Sequence, residues 1–142
     1  MIIGIVGSEA AKFTAATEAK AREIIRELLS SSDAVLCSGH CHLGGVDIFA
    51  EEEAKALGRF DPAYIFTPHH LNWTYGYAPR NRKIARNSDI VHCITLQTLP
   101  ASYVGMTFEG CYHCGELRPP HVKSGGCWTA MRCKASAWHI IE

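Results

Sequence analysis

Ile2-Ile3-Gly4-Ile5-Val6-Gly7-Ser8 opens the chain with an apolar run that stops abruptly at a glycine and a serine. The run has no polar alternation, so neither face suits water, which marks a buried parallel strand. Parallel strands need long crossovers, usually helical ones. The following residues supply one: Ala21, Ile24, Ile25, Leu28 and Leu29 recur at helical spacing, with Lys20, Arg22, Glu23, Arg26 and Glu27 on the other face. Ser30 to Asp33 breaks that helix, and Ala34-Val35-Leu36-Cys37 reads as a second strand.

The alternation continues. Val46, Phe49, Ala50, Ala54 and Leu57 predict a second helix with Gly58 as its C-terminal cap. Tyr64 to Thr67 reads as a third strand stopped by Pro68, and His69 to Ala78 as an irregular aromatic segment. Pro79 suits the first turn of a third helix running to about Asn87. Asp89 to Leu96 predicts a fourth strand, residues 127 to 137 a last helix, and Trp138 to Ile141 a last strand. Strands alternating with helices imply a single three-layer α/β domain over residues 1–142, Rossmann-like, with about five mostly parallel strands flanked by helices.

Bulk properties exclude several classes. At 142 residues the chain suits one domain, and 47% hydrophobic with 20% charged residues is ordinary for a globular protein. Lys plus Arg and Asp plus Glu are both 14, so the basic excess usual for nucleic-acid binding is missing. The first residues carry no basic, long-apolar leader pattern and no run suits a bilayer, so the expectation is a cytoplasmic protein without a membrane partner. Seven cysteines then point to metal or redox chemistry rather than disulfides.

In an open parallel sheet, ligands collect beyond the carboxyl ends of the strands. Three glycine-rich segments fall there: Gly7 and Ser8; Ser38, Gly39, Gly44, Gly45 and Asp47; and Lys123, Ser124, Gly125, Gly126 and Thr129. Glycines let backbone approach an anion closely, and helix-opening amides donate to it. Arg80 is placed to clamp a phosphate and Asn81 to read a base or ribose. Arg82, Lys83 and Arg86 read as a solvated basic face, while Trp73, Tyr75 and Tyr77 suit either stacking on a base or packing. No Gly-x-Gly-x-x-Gly fingerprint or Walker A lysine occurs, which disfavours an ordinary NAD enzyme or ATPase.

Cys111 and Cys114 have the two-residue gap of a zinc knuckle, followed by His121 and Cys127. Three Cys and one His close a tetrahedral shell, so the expected cofactor is structural zinc in an insert over about 109–127, before the last helix. His113 competes with His121 for the fourth position; free buried thiols or a redox pair at Cys111 and Cys114 are the alternatives. In a second group, Cys37 reads as the end of a buried strand and His40 and His42 as pocket lining, with a second zinc on Cys37, His40, Cys41 and His42 as the alternative. His69 and His70 read as pocket wall and His92 as core.

Taken in order, Gly7-Ser8-Glu9, Ser38-Gly39, Gly44-Gly45-Val46-Asp47, Ala50-Glu51-Glu52, Arg80-Asn81, Ser88-Asp89-Ile90-Val91 and Lys123-Ser124-Gly125-Gly126-Cys127-Trp128-Thr129 resemble the SLOG superfamily. That group joins the Lonely Guy phosphoribohydrolases and DNA-processing protein A; the closest likeness is to a small branch with a Cys-x-x-Cys insert. The resemblance implies a nucleotide or nucleotide-derived ligand held between the Gly44-Gly45 and Gly125-Gly126 loops, and a homodimer. It does not deliver a reaction, because Arg132 stands where the hydrolases carry their catalytic Glu. The leading expectation is a nucleotide-binding protein. The alternatives are a nucleotide-processing hydrolase using Asp47 or Glu52 as acid/base with Arg80 stabilising charge, and a single-stranded nucleic-acid module.

Overall fold

The computed structural model describes every residue from Met1 to Glu142. Four strands form one sheet in the order β2-β1-β3-β4, where β1 is Ile2–Gly7, β2 Val35–Cys37, β3 Ile90–Leu96 and β4 Ser136–Ile141. Every pairing is parallel: Ile3 faces Leu36 on one side and Ile90 on the other, and Cys93 faces Trp138. Because the strands alternate their side chains, two cores result. Ile3, Ile5, Leu36, Ile94 and Leu96 pack with α1 (Ala15–Leu28) and α2 (Val46–Leu57). Val6, Cys37, Val91 and Cys93 pack with α3 (Ala78–Asn87) and α4 (Gly125–Ala130) on the opposite face. The result is three layers, as the alternation implied.

The helix ends follow local chemistry. Thr14 caps α1 through a reciprocal pair with Thr17, Thr17 N–H donating to Thr14 Oγ1 at 3.2 Å and Thr14 N–H to Thr17 Oγ1 at 2.8 Å. Such a cap contributes about 1 kcal/mol. Ile25 and Leu29 are fully buried, and each contributes about 1.5–3 kcal/mol, so packing rather than capping holds the helix. Gly58 ends α2 with φ 72° in the left-handed region, as expected of a glycine cap.

Three expectations are corrected. There are four strands, not five. Tyr64 to Thr67 makes only a single parallel bridge, Ile65 beside Ser38, with Phe66 N–H donating to Ser38 O at 2.9 Å. Pro62 starts a 3-10 turn over Pro62–Tyr64 and Pro68 lacks an N–H, so too few residues remain between them to extend the ladder. The last helix runs Gly125–Ala130 rather than residues 127 to 137, because β4 starts at Ser136 to pair with Val91. The segment before α3 is not wholly irregular: Trp73–Tyr77 forms one π-helical turn, capped by the Asn72 side chain accepting from Tyr75 N–H at 2.7 Å.

Two features generate tests. Gly45 precedes α2 at φ 85°, ψ −145°, and a Cβ there would lie 2.2 Å from Ser8 O. Gly45→Ala should therefore cost more than the ~1–3 kcal/mol of backbone strain alone, read as a lowered urea midpoint. His92 and His139 meet between β3 and β4, Nδ1 to Nε2 at 3.0 Å. Burial, and then His139, push His92 down from 6.5 to about 4. The unfolded chain takes up that proton near pH 6.5 whereas the folded chain resists until about pH 4, so this residue's contribution to stability falls as pH drops through that window. Urea midpoints at pH 7 and pH 5 should differ less for His92→Gln than for the native chain; equal differences would contradict the assignment.

Candidate functional site

The chain leaves β1 toward β2 on one side and returns through β3 on the other, so the switch point of the sheet lies between β1 and β3. A cavity of about 490 Å³ opens at the carboxyl ends of these strands. It is lined by Val6, Gly7 and Ser8 at the end of β1, by Lys123 to Gly126 with Thr129, and by Trp73, Tyr77, Arg80 and Asn81 from the π-helical turn and α3. Glu9, Lys12, Cys41, His42, Leu43, Asp47 and Ile84 complete it.

Glycine is required where the walls meet. A Cβ on Gly126 would sit 2.8 Å from Gly7 N, and one on Gly7 would sit 2.0 Å from Ile94 O. Ser8 Oγ and Thr95 Oγ1 share a hydrogen bond of 2.9 Å, fixing the end of β1 to β3. Ser124 caps α4 by accepting from Gly126 N–H at 3.2 Å.

Arg80 is the dominant charge. It is 9% exposed, its Nε donates to Asn81 Oδ1 at 2.7 Å and its Nη1 to Gly39 O at 2.6 Å. These bonds fix the guanidinium against neutral acceptors, and no ion pair of the chain includes it. Asn81, accepting through its oxygen, keeps its amide N–H groups for other partners. Asp47 accepts from Cys41 N–H at 3.1 Å. Burial pushes its carboxyl above the ordinary value, against the pull of the Arg80 charge. Lys12 donates to Lys123 O at 2.7 Å, and burial lowers its ammonium, with Glu9 opposing and Lys123 adding to the fall.

Not every expected site residue reaches the cavity. Ser38 is buried and donates to Ile5 O at 2.8 Å, Gly39 holds Arg80, and Gly44 and Gly45 shape the turn into α2 with φ 74° and 85°. None of the four lines the cavity. Glu52 points instead to Arg22, 3.2 Å from its Nη2, on the α1 side. The buried carboxylate near Asp47 on α2 is Glu51, paired with His40 Nδ1 at 2.5 Å while His40 takes φ 49°. His42 lines the cavity and stacks near Tyr77; His40, His69 and His70 do not line it. Tyr75 is exposed. Arg132 also lies outside, its guanidinium 3.5 Å above the Trp128 ring.

Beside the Lys123–Gly126 wall, the ligand atoms of Cys111, Cys114, His121 and Cys127 all lie within 4.8 Å of one another, and all four residues are buried. Gly115, at φ 54°, turns the chain after Cys114, and its N–H donates to Cys111 O at 3.0 Å. His121 Nδ1 donates to Pro119 O at 2.7 Å, leaving the Nε2 lone pair toward Cys127 Sγ at 3.5 Å. A tetrahedron with bonds of about 2.3 Å to sulfur and about 2.0 Å to nitrogen has S···N edges of about 3.5 Å. The cluster is thus compatible with a closed zinc shell, and His121 rather than His113 belongs to it. Burial would raise the Cys111 thiol, yet amides of Ser124, Cys114 and His113 bring it down to about 7. Cys127 also receives Trp138 Nε1–H at 3.3 Å and lies 3.8 Å from Cys93 Sγ. All seven cysteines are free thiols.

Sequence reading missed Lys12, Leu43 and Glu51. Lys12 enters through a short 3-10 turn over Ala10–Lys12 that no motif signals. Glu51 carried a usable signal, since it follows Asp47 by four residues and so shares its face of α2. No helix of the chain is long and apolar enough to cross a membrane. No protein-family model, curated protein or solved structure matches this chain.

Proposed function

We propose that the protein binds a small anionic ligand of the nucleotide class in the switch-point cavity, with a structural zinc on Cys111, Cys114, His121 and Cys127 bracing the Lys123–Gly126 wall. The observation that carries this reading is Arg80: a buried guanidinium at the cavity wall, oriented by two neutral acceptors, with Asp47 its nearby carboxylate but outside ion-pair distance. A buried charge calls for a counter-ion, and an incoming phosphate supplies one in the bidentate geometry that arginine favours. Lys12 and Lys123 add positive charge to the lining, while Trp73 and Tyr77 offer aromatic surface to a base. The nucleotide identity leans on the resemblance to the SLOG superfamily.

A second reading is a nucleotide-processing hydrolase. Asp47 favours it, since a carboxyl raised by burial beside a guanidinium is suited to hold and deliver a proton. Glu52 is replaced in that scheme by Asp47 alone, because Glu52 faces α1. Chromatography of nucleoside monophosphates after incubation separates the readings: released base supports turnover, and recovery of intact ligand supports binding alone.

Adenosine 5′-monophosphate should raise the melting temperature of the protein, and Arg80→Lys should weaken its binding by about 1.5–3 kcal/mol while the far-ultraviolet circular dichroism stays native. An unchanged affinity in Arg80→Lys would remove the anchor of the proposal. Elemental analysis should find one zinc per native chain, lost in Cys111→Ser; a folded native protein without metal would overturn the zinc assignment.

A further inference from the structure

The metal ligands and the cavity wall are one piece of chain. His121 and Cys127 bracket Lys123, Ser124, Gly125 and Gly126, all of which line the cavity. From Gln97 to Ser124 the chain has no helix or strand. Beyond Gln97 a single backbone bond, Val122 N–H to Leu96 O at 2.9 Å, ties that excursion to the sheet. A stretch this long without secondary structure is uncommon in a compact domain unless something else orders it.

Cys127 joins the two regions. Its thiol is 0% exposed, contacts His121 on the excursion, and is held from the sheet side by Trp138 on β4 and Cys93 on β3. The preceding residue, Gly126, rests directly on Gly7, with no room for a methyl group between them. The α4 end of the wall is therefore fixed by packing; the other end is tied to β3 at Val122, whose carbonyl also accepts from Thr95 Oγ1 at 3.4 Å, and to Lys12 through Lys123 O, while the cluster links His121 to Cys111, Cys114 and Cys127. Arg118 reinforces this side, its guanidinium 3.4 Å above the Trp138 ring.

We infer that metal occupancy controls the cavity: the ion orders Lys123–Gly126, and its loss releases that wall and lowers the affinity for the anion. The inference rests on the reading of the cavity as a nucleotide-class site. Coupling of this kind is reciprocal, so the bound anion must strengthen metal binding by the same factor. No redox or group-transfer step is involved; the metal dissociates as a cation and the thiolates take up protons from water.

Two measurements on the full chain test it. Hydrogen–deuterium exchange is followed before and after zinc removal with a chelator, and in Cys114→Ser, whose substitution lies outside the cavity lining. Expected is at least a tenfold loss of protection at Val122–Gly126, with α1 and α2 unchanged. Unchanged protection of Val122–Gly126 overturns the inference, and so does uniform loss across the chain, because the metal would then hold the whole fold. Calorimetry with adenosine 5′-monophosphate should give a dissociation constant at least tenfold weaker without zinc, and saturating nucleotide should tighten zinc binding by the same factor. Equal affinities with and without zinc overturn it. If the zinc-loaded protein does not bind this nucleotide, the nucleotide reading fails instead, and the exchange measurement still decides whether the ion orders Lys123–Gly126.

Discussion

The first turn of α4 presses its backbone onto the end of β1, and much of the molecule is arranged around that contact. Gly126 and Gly7 approach so closely that a methyl group on Gly126 would lie 2.9 Å from Gly7 Cα. Gly7 in turn has Ile94 O behind it on the central pair of strands. This approach brings Lys123 to Gly126 over the switch point, and it places Cys127, one residue on, in the core beneath. Cavity wall and metal cluster thus share one short segment. Removing space at Gly126 would push that segment off the sheet and disturb both sites together.

The electrostatics of the cavity complement this geometry. Arg80 keeps its charge in a nearly closed position by leaning on the Gly39 carbonyl and the Asn81 side chain, neither of which neutralises it. Beside it, Asp47 is raised by burial against the pull of the Arg80 charge, and Lys12 is lowered by burial, so both groups are held less charged than in water. A ligand anion offsets that penalty for the cations, and a ligand donor offsets it for Asp47. The nucleotide proposed above carries both.

The sequence made much of the layer order legible because β1, β3, α1 and α2 are encoded locally. Their apolar periodicities and the Gly58 cap need no information from elsewhere. Tyr64 to Thr67 was not legible in that way: its pattern is that of a strand, but the neighbouring prolines limit it to one bridge, an outcome decided by what the edge strand β2 can reach. The knuckle spacing identified the cluster, and His121 won over His113 through its bond to Pro119, which no spacing rule reveals. Trp138 as a donor to Cys127 and Lys12 as a cavity residue are long-range consequences of packing, without a local pattern. Glu52 was misplaced by one helical position; the register of Asp47 and Glu51 on α2 sets which carboxylate turns toward the loop.

The proposed coupling depends on a metal joining Cys127 to the excursion through His121, Cys111 and Cys114, whose ligand atoms lie close enough to share one. X-ray absorption fine structure at the zinc edge of the protein as isolated tests that claim most directly. Three sulfur ligands at about 2.3 Å and one nitrogen at about 2.0–2.1 Å are the predicted shell. An oxygen-dominated shell, or one lacking the third sulfur, would take Cys127 out of the site and contradict the link between metal and cavity.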